Sequence, residues 1–237
     1  MKRSVFLIMP AYNVERQIAA TVAKIPHGVC KKLIIVNDGS RDGTLAVAKK
    51  IKSRDFKIQI INHPRNLGYA MAQKHGYAAA LKQGADAMVL LHGDGQYDPA
   101  LIPLLLKPLL AGQADVVQGS RMLGDPLKGG MPLYKFLGNK FLTLFENTLL
   151  GLDISEFHSG FIVYSRKALT RIPFEQMENC FHFDGEMIIT AHEKGLKVKE
   201  VAIPTRYAGE TSNLNAFTYG LRVIKIALKH RFKRRKQ

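Results

Sequence analysis

Three features of the sequence predict a single α/β domain built on a mostly parallel sheet flanked by helices. Short apolar runs recur along the chain, each closed by a loop of Gly, Asp, Asn or Ser, as strands buried on both faces require. Between them lie segments with apolar residues at helical spacing, and this alternation marks parallel βαβ units. The length of 237 residues fits one such domain, because α/β folds reach about 200–250 residues around one core. Hydrophobic residues make up 46% of the chain and are spread evenly, without repeats or low-complexity stretches, which argues against a solenoid or a disordered chain.

Val5 to Met9, closed by Pro10, reads as a buried first strand. Asn13 is the expected cap of a helix reaching Lys24, with Val14, Ile18 and Val22 on one face. Leu33 to Val36 repeats the strand pattern, and the polar loop Asn37-Asp-Gly-Ser-Arg-Asp-Gly-Thr44 leads into a helix through Lys50. Ile58 to Ile61 is a third strand, followed by His63-Pro-Arg-Asn-Leu-Gly68 and an Ala-rich helix from Tyr69 to Lys82. Met88 to Leu91 forms a fourth, and a helix runs from Pro99 to Ala111. A short strand lies within 115–121, a Gly- and Pro-bearing loop spans 124–132, and a helix is expected over Leu133 to Leu150. Phe161 to Tyr164 and Val198 to Ile203 read as strands on either side of a helix from Asp184 to Glu193. Residues from Asn215 onward form a basic helix and tail.

Lys and Arg number 35 against 19 Asp and Glu, a formal net charge of +16, which calls for an anionic partner. Six of those cations fall between Lys229 and Lys236; without them the body still carries +10. Nucleic acid is not the expected partner, because no stacking aromatic platform accompanies the basic tail. Cys30 and Cys180 stand far apart, outside any metal-ligand spacing, and are expected as reduced thiols in a cytosolic setting. The apolar run at the N-terminus stops after five residues, too short for a signal-peptide core. No uninterrupted apolar stretch approaches the roughly 18–20 residues of a membrane span. The helix at 133–150 and the C-terminal helix are nevertheless amphipathic. In the latter, Phe217, Leu221, Ile224, Leu228 and Phe232 share a stripe beside Arg222, Lys225 and Lys229. Tail cations contribute up to about 1 kcal/mol each near an anionic bilayer, so peripheral attachment at the cytoplasmic membrane face is expected.

Parallel strands bring the loops after strands two, four and five to one edge, where open α/β sheets place their sites. There stand Asp38 and Asp42, then His92-Gly-Asp-Gly-Gln96, then Arg121. An aspartate between two glycines, Asp94, with His92 and Gln96 two residues to either side, suits a hard divalent cation, and Gly93 lets the backbone approach a bulky ligand. The other reading is a strand-to-helix turn in which Asp94 or Asp98 caps the helix starting at Pro99. Residues 38–43 imitate part of a calcium loop, but Lys49 occupies the place of the bidentate glutamate, which excludes an EF-hand. The Gly-rich turns of dinucleotide dehydrogenases and P-loop enzymes are missing, as is a Gly-x-Ser-x-Gly elbow.

Pro10-Ala-Tyr-Asn13, Val36-Asn-Asp-Gly-Ser-Arg-Asp-Gly-Thr44, Asn66-Leu-Gly68, His92-Gly-Asp-Gly-Gln96, Gly119-Ser-Arg121, Ser159-Gly-Phe161 and Ile203-Pro-Thr-Arg-Tyr207 resemble, in order, the motifs of family 2 glycosyltransferases. The subgroup most resembled comprises the dolichyl-phosphate and other polyprenyl-phosphate sugar transferases. The resemblance implies a GT-A fold, Rossmann-like, over residues 1–212, with 213–237 as a basic amphipathic helix and tail. It implies that Pro10, Tyr12, Val36, Asp38 and Gly93 surround a nucleoside diphosphate sugar. Asp94 and Gln96 match residues that hold Mn²⁺ or Mg²⁺, and Arg121 and Arg206 match cations near the phosphates. An inverting, metal-dependent transfer to a polyprenyl phosphate follows; a glycan or glycolipid hydroxyl is the alternative acceptor, and a non-catalytic nucleotide-sugar-binding scaffold is the alternative outside enzymes.

Some positions depart from the family pattern. His92 stands where the first acid of an acidic pair is usual, which implies either a Mn²⁺ preference or a metal held by Asp94 and Gln96 with His92 behind them. Val14 replaces an acid, and Asn213 a lysine common in lipid-phosphate transferases. A phosphate monoester attacks without a base, whereas a hydroxyl needs one. Asp184 and Glu186 are the expected acceptor-side residues, with Asp153 and His158 behind them; two apart on a helix, the two acids share the cleft only if Asp184 caps it.

Overall fold

The computed structural model describes residues 3–205 and 216–234. Its seven strands are β1 (Val5–Ala11), β2 (Lys32–Asn37), β3 (Lys57–Asn62), β4 (Ala87–Leu90), β5 (Val116–Ser120), β6 (Ile162–Ser165) and β7 (Val198–Ala202). They form one sheet in the order β3-β2-β1-β4-β6-β5-β7. All pairings are parallel except those of β6, which runs antiparallel to both β4 and β5. The carboxyl ends of β1, β2, β4 and β5 therefore share an edge with the start of β6.

The helices are α1 (Ile18–Ala23), α2 (Thr44–Lys50), α3 (Tyr69–Lys82), α4 (Ile102–Leu110), α5 (Leu133–Leu150), α6 (Arg166–Arg171), α7 (Phe183–Glu193) and α8 (Ala216–Arg234). Alternate strand residues enter two apolar layers, as a pleated sheet covered on both faces requires. Phe6, Ile8, Ile34 and Val36 join Tyr77, Phe183 and Ile188 on one side. Leu7, Met9, Leu33 and Ile35 join Ile18, Leu105 and Leu109 on the other.

Three elements differ from the sequence expectation. Asn13 does not cap a helix. It holds a left-handed φ of 53°, its Oδ1 accepts from the Arg41 amide at 2.9 Å, and its own amide donates to Ser40 Oγ at 3.0 Å. The side chain is thus engaged by the neighbouring loop, and α1 starts only at Ile18. Residues Pro99–Leu101 form a 3-10 turn capped by Asp98, whose Oδ1 accepts from the Ala100 amide at 3.0 Å. The short α6, capped by Ser165 Oγ on the Ala168 amide at 3.0 Å, has too few residues for a visible period.

The long α5 occupies its expected span and leaves much of its apolar side exposed. Thr143, Glu146 and Leu150 are buried, while Leu133, Tyr134, Leu137, Phe141 and Leu144 are each more than half exposed. Helix α8 packs on α5, with Val223, Ile226 and Ala227 buried and Ala227 joining the core. No helix of the described residues is long and apolar enough to cross a membrane.

Candidate active site

The loops after β1 and β2 are laced together at the functional edge. The Val14 amide donates to Thr44 Oγ1 at 2.8 Å, the Glu15 amide to Asp42 Oδ2 at 3.2 Å, and the Gly43 amide to Glu15 Oε2 at 2.9 Å. This lacing leaves Tyr12 projecting, 41% exposed, above Pro10. Val36 and Asp38 lie beneath. Val36 is fully buried in the core, and the Asp38 carboxylate accepts from the Leu67 and Gly68 amides at 2.9 Å each while His63 Nδ1 stands 2.7 Å away. Asp38 therefore pins the 63–68 loop to β2. Gly39, at φ +64°, is needed there: a Cβ would come within 2.2 Å of the Arg65 carbonyl carbon.

Beyond β4 the backbone keeps to the edge, the Gly93 amide donating to the Pro10 carbonyl at 3.2 Å. Asp94 follows, exposed, with Oδ1 accepting from the Gln96 amide at 2.9 Å. His92 turns inward instead. Its Nε2 lies 2.9 Å from the Tyr69 hydroxyl, which donates in turn to Asp184 Oδ2 at 2.5 Å. If the tyrosine proton goes to the carboxylate, His92 carries its own proton on Nε2. Gly160 makes this approach possible, since a Cβ there would stand 2.7 Å from His92 Cε1 and 2.8 Å from the Tyr69 hydroxyl.

These positions decide how well the residues fit a metal. Among the described residues no group of three or more His, Cys, Asp or Glu is placed to hold an ion. One exposed carboxylate beside an amide side chain fits a hard cation whose remaining ligands are phosphate oxygens and water, not a resident metal caged by protein. His92 does not share the edge with Asp94 in this arrangement; it belongs to the Tyr69–Asp184 chain.

Asp184 and Glu186 diverge. The residue at the N-cap of α7 is His182, so Asp184 lies within the first turn and does not cap it. Burial pushes the Asp184 carboxyl up, against the pull of the Tyr69 hydroxyl and the His92 ring. Glu186 faces α8, with Lys229 Nζ at 3.4 Å and His230 Nε2 at 3.5 Å. Burial alone would raise Glu186, but the hydrogen bond from His230 and the Lys229 charge hold it below the usual range. Glu186 is a fastening point for α8, remote from the Asp184 chain.

Arg121 is held by Glu156. Its Nε donates to Glu156 Oε1 at 2.9 Å, its amide to Glu156 Oε2 at 2.8 Å, and its Nη2 both to Glu156 and to the His158 carbonyl at 2.8 Å. Glu156 is completely buried and also accepts from Asn139 Nδ2 of α5 at 2.9 Å. His158 reaches Tyr219 of α8 through Nδ1 at 2.7 Å, and burial pushes its ring well below the ordinary histidine range. Arg206 lies outside the described residues.

Sequence reasoning did not single out Tyr69, Glu156 or Glu146. The last is buried in α5 with His182 Nε2 at 2.9 Å, and burial raises its carboxyl. Each also has a partner more than 30 residues away, Asp184 for Tyr69, Arg121 for Glu156 and His182 for Glu146, so no local spacing announces it.

The sheet carries one antiparallel strand, with an exposed aspartate just beyond β4. Residues 6–172 match the profile of Glycosyl transferase family 2, and the chain belongs to that family as a glycosyltransferase. It is 29% identical over 86% of its length, and 86% of the relative's, to a UDP-N-acetylglucosamine–dolichyl-phosphate N-acetylglucosaminyltransferase of Methanococcus voltae. It is 27% identical to a polyprenol monophosphomannose synthase of Mycolicibacterium smegmatis, covering 83% of this chain and 75% of that one. In fold it is similar to glucosyl-3-phosphoglycerate synthase of Mycobacterium tuberculosis crystallised with UDP, at a TM-score of 0.73 and 19% identity, over 97% of this chain and 80% of that one. The same enzyme has also been crystallised with Mn²⁺ and UDP-glucose.

Proposed function

We propose that this glycosyltransferase moves a sugar from a UDP- or GDP-linked donor to a polyprenyl phosphate, with inversion at the anomeric carbon. Asp94 would hold a Mn²⁺ or Mg²⁺ ion, with Gln96 beside it. Bound there, the ion would neutralise charge on the leaving nucleoside diphosphate. Pro10 and Tyr12 would contact the base and ribose. The ion's remaining ligands would come from the donor, which matches an edge with no cluster of three or more His, Cys, Asp or Glu placed to hold an ion among the described residues.

The observation that carries the lipid acceptor is the outward face of α5. Leu133, Leu137, Phe141 and Leu144 lie exposed next to Lys135 and Lys140, on a helix that starts from the loop leaving the functional edge. Leu221, Leu228 and Phe232 of α8 are exposed beside Arg222, Lys225 and Lys229. Apolar side chains ringed by cations suit an anionic bilayer surface, and the protein would rest on the cytoplasmic face with its site near the lipid headgroups. The relatives' own acceptors, dolichyl phosphate and polyprenol, support this reading. Asp184 supports it from the other side: buried and bonded to Tyr69, it is poorly placed to take a proton from a hydroxyl, and an ionised phosphate needs no base.

The test is a panel of radiolabelled UDP- and GDP-sugars with Mn²⁺ or Mg²⁺ and polyprenyl phosphate in detergent. Label entering the organic phase from one donor is expected; metal-dependent donor binding without lipid product would move the acceptor to a hydroxyl. Asp94→Ala should abolish metal-dependent donor binding, and a variant retaining full Mn²⁺-dependent affinity would remove Asp94 from the ion site.

A further inference from the structure

Residues 180–191 of the polypeptide are buried with one exception, Phe181, which is 57% exposed. A large aromatic ring left open within a buried run calls for an explanation, and its support is specific. The ring lies stacked on Tyr69, centroids 6.0 Å apart and planes 17° from parallel. Tyr69 is held in turn by its hydroxyl bonds to His92 and Asp184. The segment before Phe181 is anchored from α3 by the buried Lys74, whose Nζ donates to the Met177 carbonyl at 2.5 Å and Asn179 Oδ1 at 2.8 Å. Cys180 and His182 on either side are buried. The phenyl ring is therefore presented in a fixed orientation at the mouth of the site.

Its surroundings point to an apolar ligand. The Tyr69 hydroxyl beneath it is already shared between His92 and Asp184, so it is not offered to the hydroxyls of a sugar. On its outer side the segment adjoins α8, through Glu178 Oε1 and Lys225 Nζ at 3.7 Å and through His182 Nδ1 and the Tyr219 hydroxyl at 3.4 Å. That helix carries the exposed Leu221 and Leu228. Phe181 thus stacks on the polar Tyr69–Asp184 chain, in a segment whose Glu178 and His182 reach α8.

We propose that Phe181, oriented by Tyr69, seats the isoprene units next to the acceptor phosphate, making it a specificity-determining residue for a lipid acceptor. The inference rests on the polyprenyl-phosphate reading. Burying an aromatic face against the chain contributes through apolar contact, so its loss is felt in acceptor binding and not in donor binding.

The experiment compares the full-length protein with Phe181→Ala and Phe181→Leu, titrating a long-chain polyprenyl phosphate and a two-isoprene phosphate at saturating donor, alongside donor affinity measured without acceptor. Phe181→Ala should raise the acceptor KM roughly tenfold, with a larger change in KM than in kcat. Phe181→Leu should recover part of the loss, and donor affinity should stay within twofold. An acceptor KM unchanged within twofold, or a loss falling on donor affinity, overturns the inference while the wild-type lipid product still stands. A wild-type protein that forms no lipid-linked product with any donor overturns the acceptor reading itself, and the role of Phe181 with it.

Discussion

Helices α4 and α5 are both rich in leucine, yet only α5 buries a carboxylate. In α4 the inward side is Ile102, Leu105, Leu106 and Leu109, all but closed to solvent. In α5 the inward side holds Thr143 and the fully buried Glu146 alongside Leu150, with Asn139 bonded to Glu156, while five large apolar residues face out. The first helix is amphipathic toward its own core. The second mixes polar groups with Leu150, Phe145 and Leu149 against the body and leaves a second apolar side exposed. A leucine-rich helical pattern therefore fixes the existence of a helix but not its inward direction; that depends on what its neighbours offer, and beside α5 they offer Glu156, His158 and His182.

The largest effect should come from breaking the polar side of this contrast. Glu156→Ala removes the buried carboxylate that binds the Arg121 guanidinium, 11% exposed, and should cost about 3–5 kcal/mol of stability, read by urea unfolding. A loss below about 1 kcal/mol would mean that the pair is solvated in solution. Next comes the direct comparison of the two helices. Leu105→Ala in α4 should cost about 2–5 kcal/mol through the cavity it leaves. Phe141→Ala in α5, where the ring is 66% exposed, should change stability by no more than about 0.5 kcal/mol while weakening adsorption to anionic vesicles in a sedimentation assay. Equal losses of stability would show that the α5 face is covered by the protein itself.

The smallest effect is a pH dependence where α8 is fastened. Burial opposes the charge on His230, yet the hydrogen bonds to Glu186 and Glu193 raise its pKa above 6.5. A raised folded pKa means the stabilisation is complete below the unfolded value and is lost as pH climbs through the folded one. Glu186 is depressed below 4.5, so its share is present above that value and is lost as pH falls through the folded pKa. Stability should thus be greatest between those limits and decline on the alkaline side, and His230→Gln should flatten the alkaline decline in a series of thermal melts.

The parallel half of the molecule was legible because each of its strands is a short, mainly apolar run with a polar loop at its end, broken only by Gln59 in β3. Val5, Leu33, Ile58 and Met88 all open such runs, and the structure places a strand at each. The edge position of Asp94 followed from the same logic. The direction of β6 was not legible, since a four-residue buried strand reads alike in either sense. Nor were the partners of the charged residues. The position of Arg121 after the fifth strand was legible, but its carboxylate partner Glu156, which the chain returns to the same place after α5, was not. Glu186 was expected beside Asp184, but the helical turn sends it to Lys229. Sequence order shows which edge a residue reaches, while a side chain's partner depends on residues that arrive there from far along the chain.

The position of β6 between β4 and β5 also bears on how the protein is made. Strand β5 has no neighbour in the sheet until β6 and β7 have been synthesised, because both its pairings are to later strands. The strands β1 to β4, by contrast, can pair among themselves as soon as residue 90 has emerged. At about 5–20 residues per second, the 45 residues between Ser120 and Ser165 take about 2–9 s to follow. During that interval β5 waits unpaired, with α5 and its outward leucines newly made beside it. A ribosome-arrested chain with residue 150 just emerged should protect the amides of β1 and β2 from hydrogen exchange and leave those of β5 open. Protection of β5 at that length would mean that the sheet closes by a route that does not need β6.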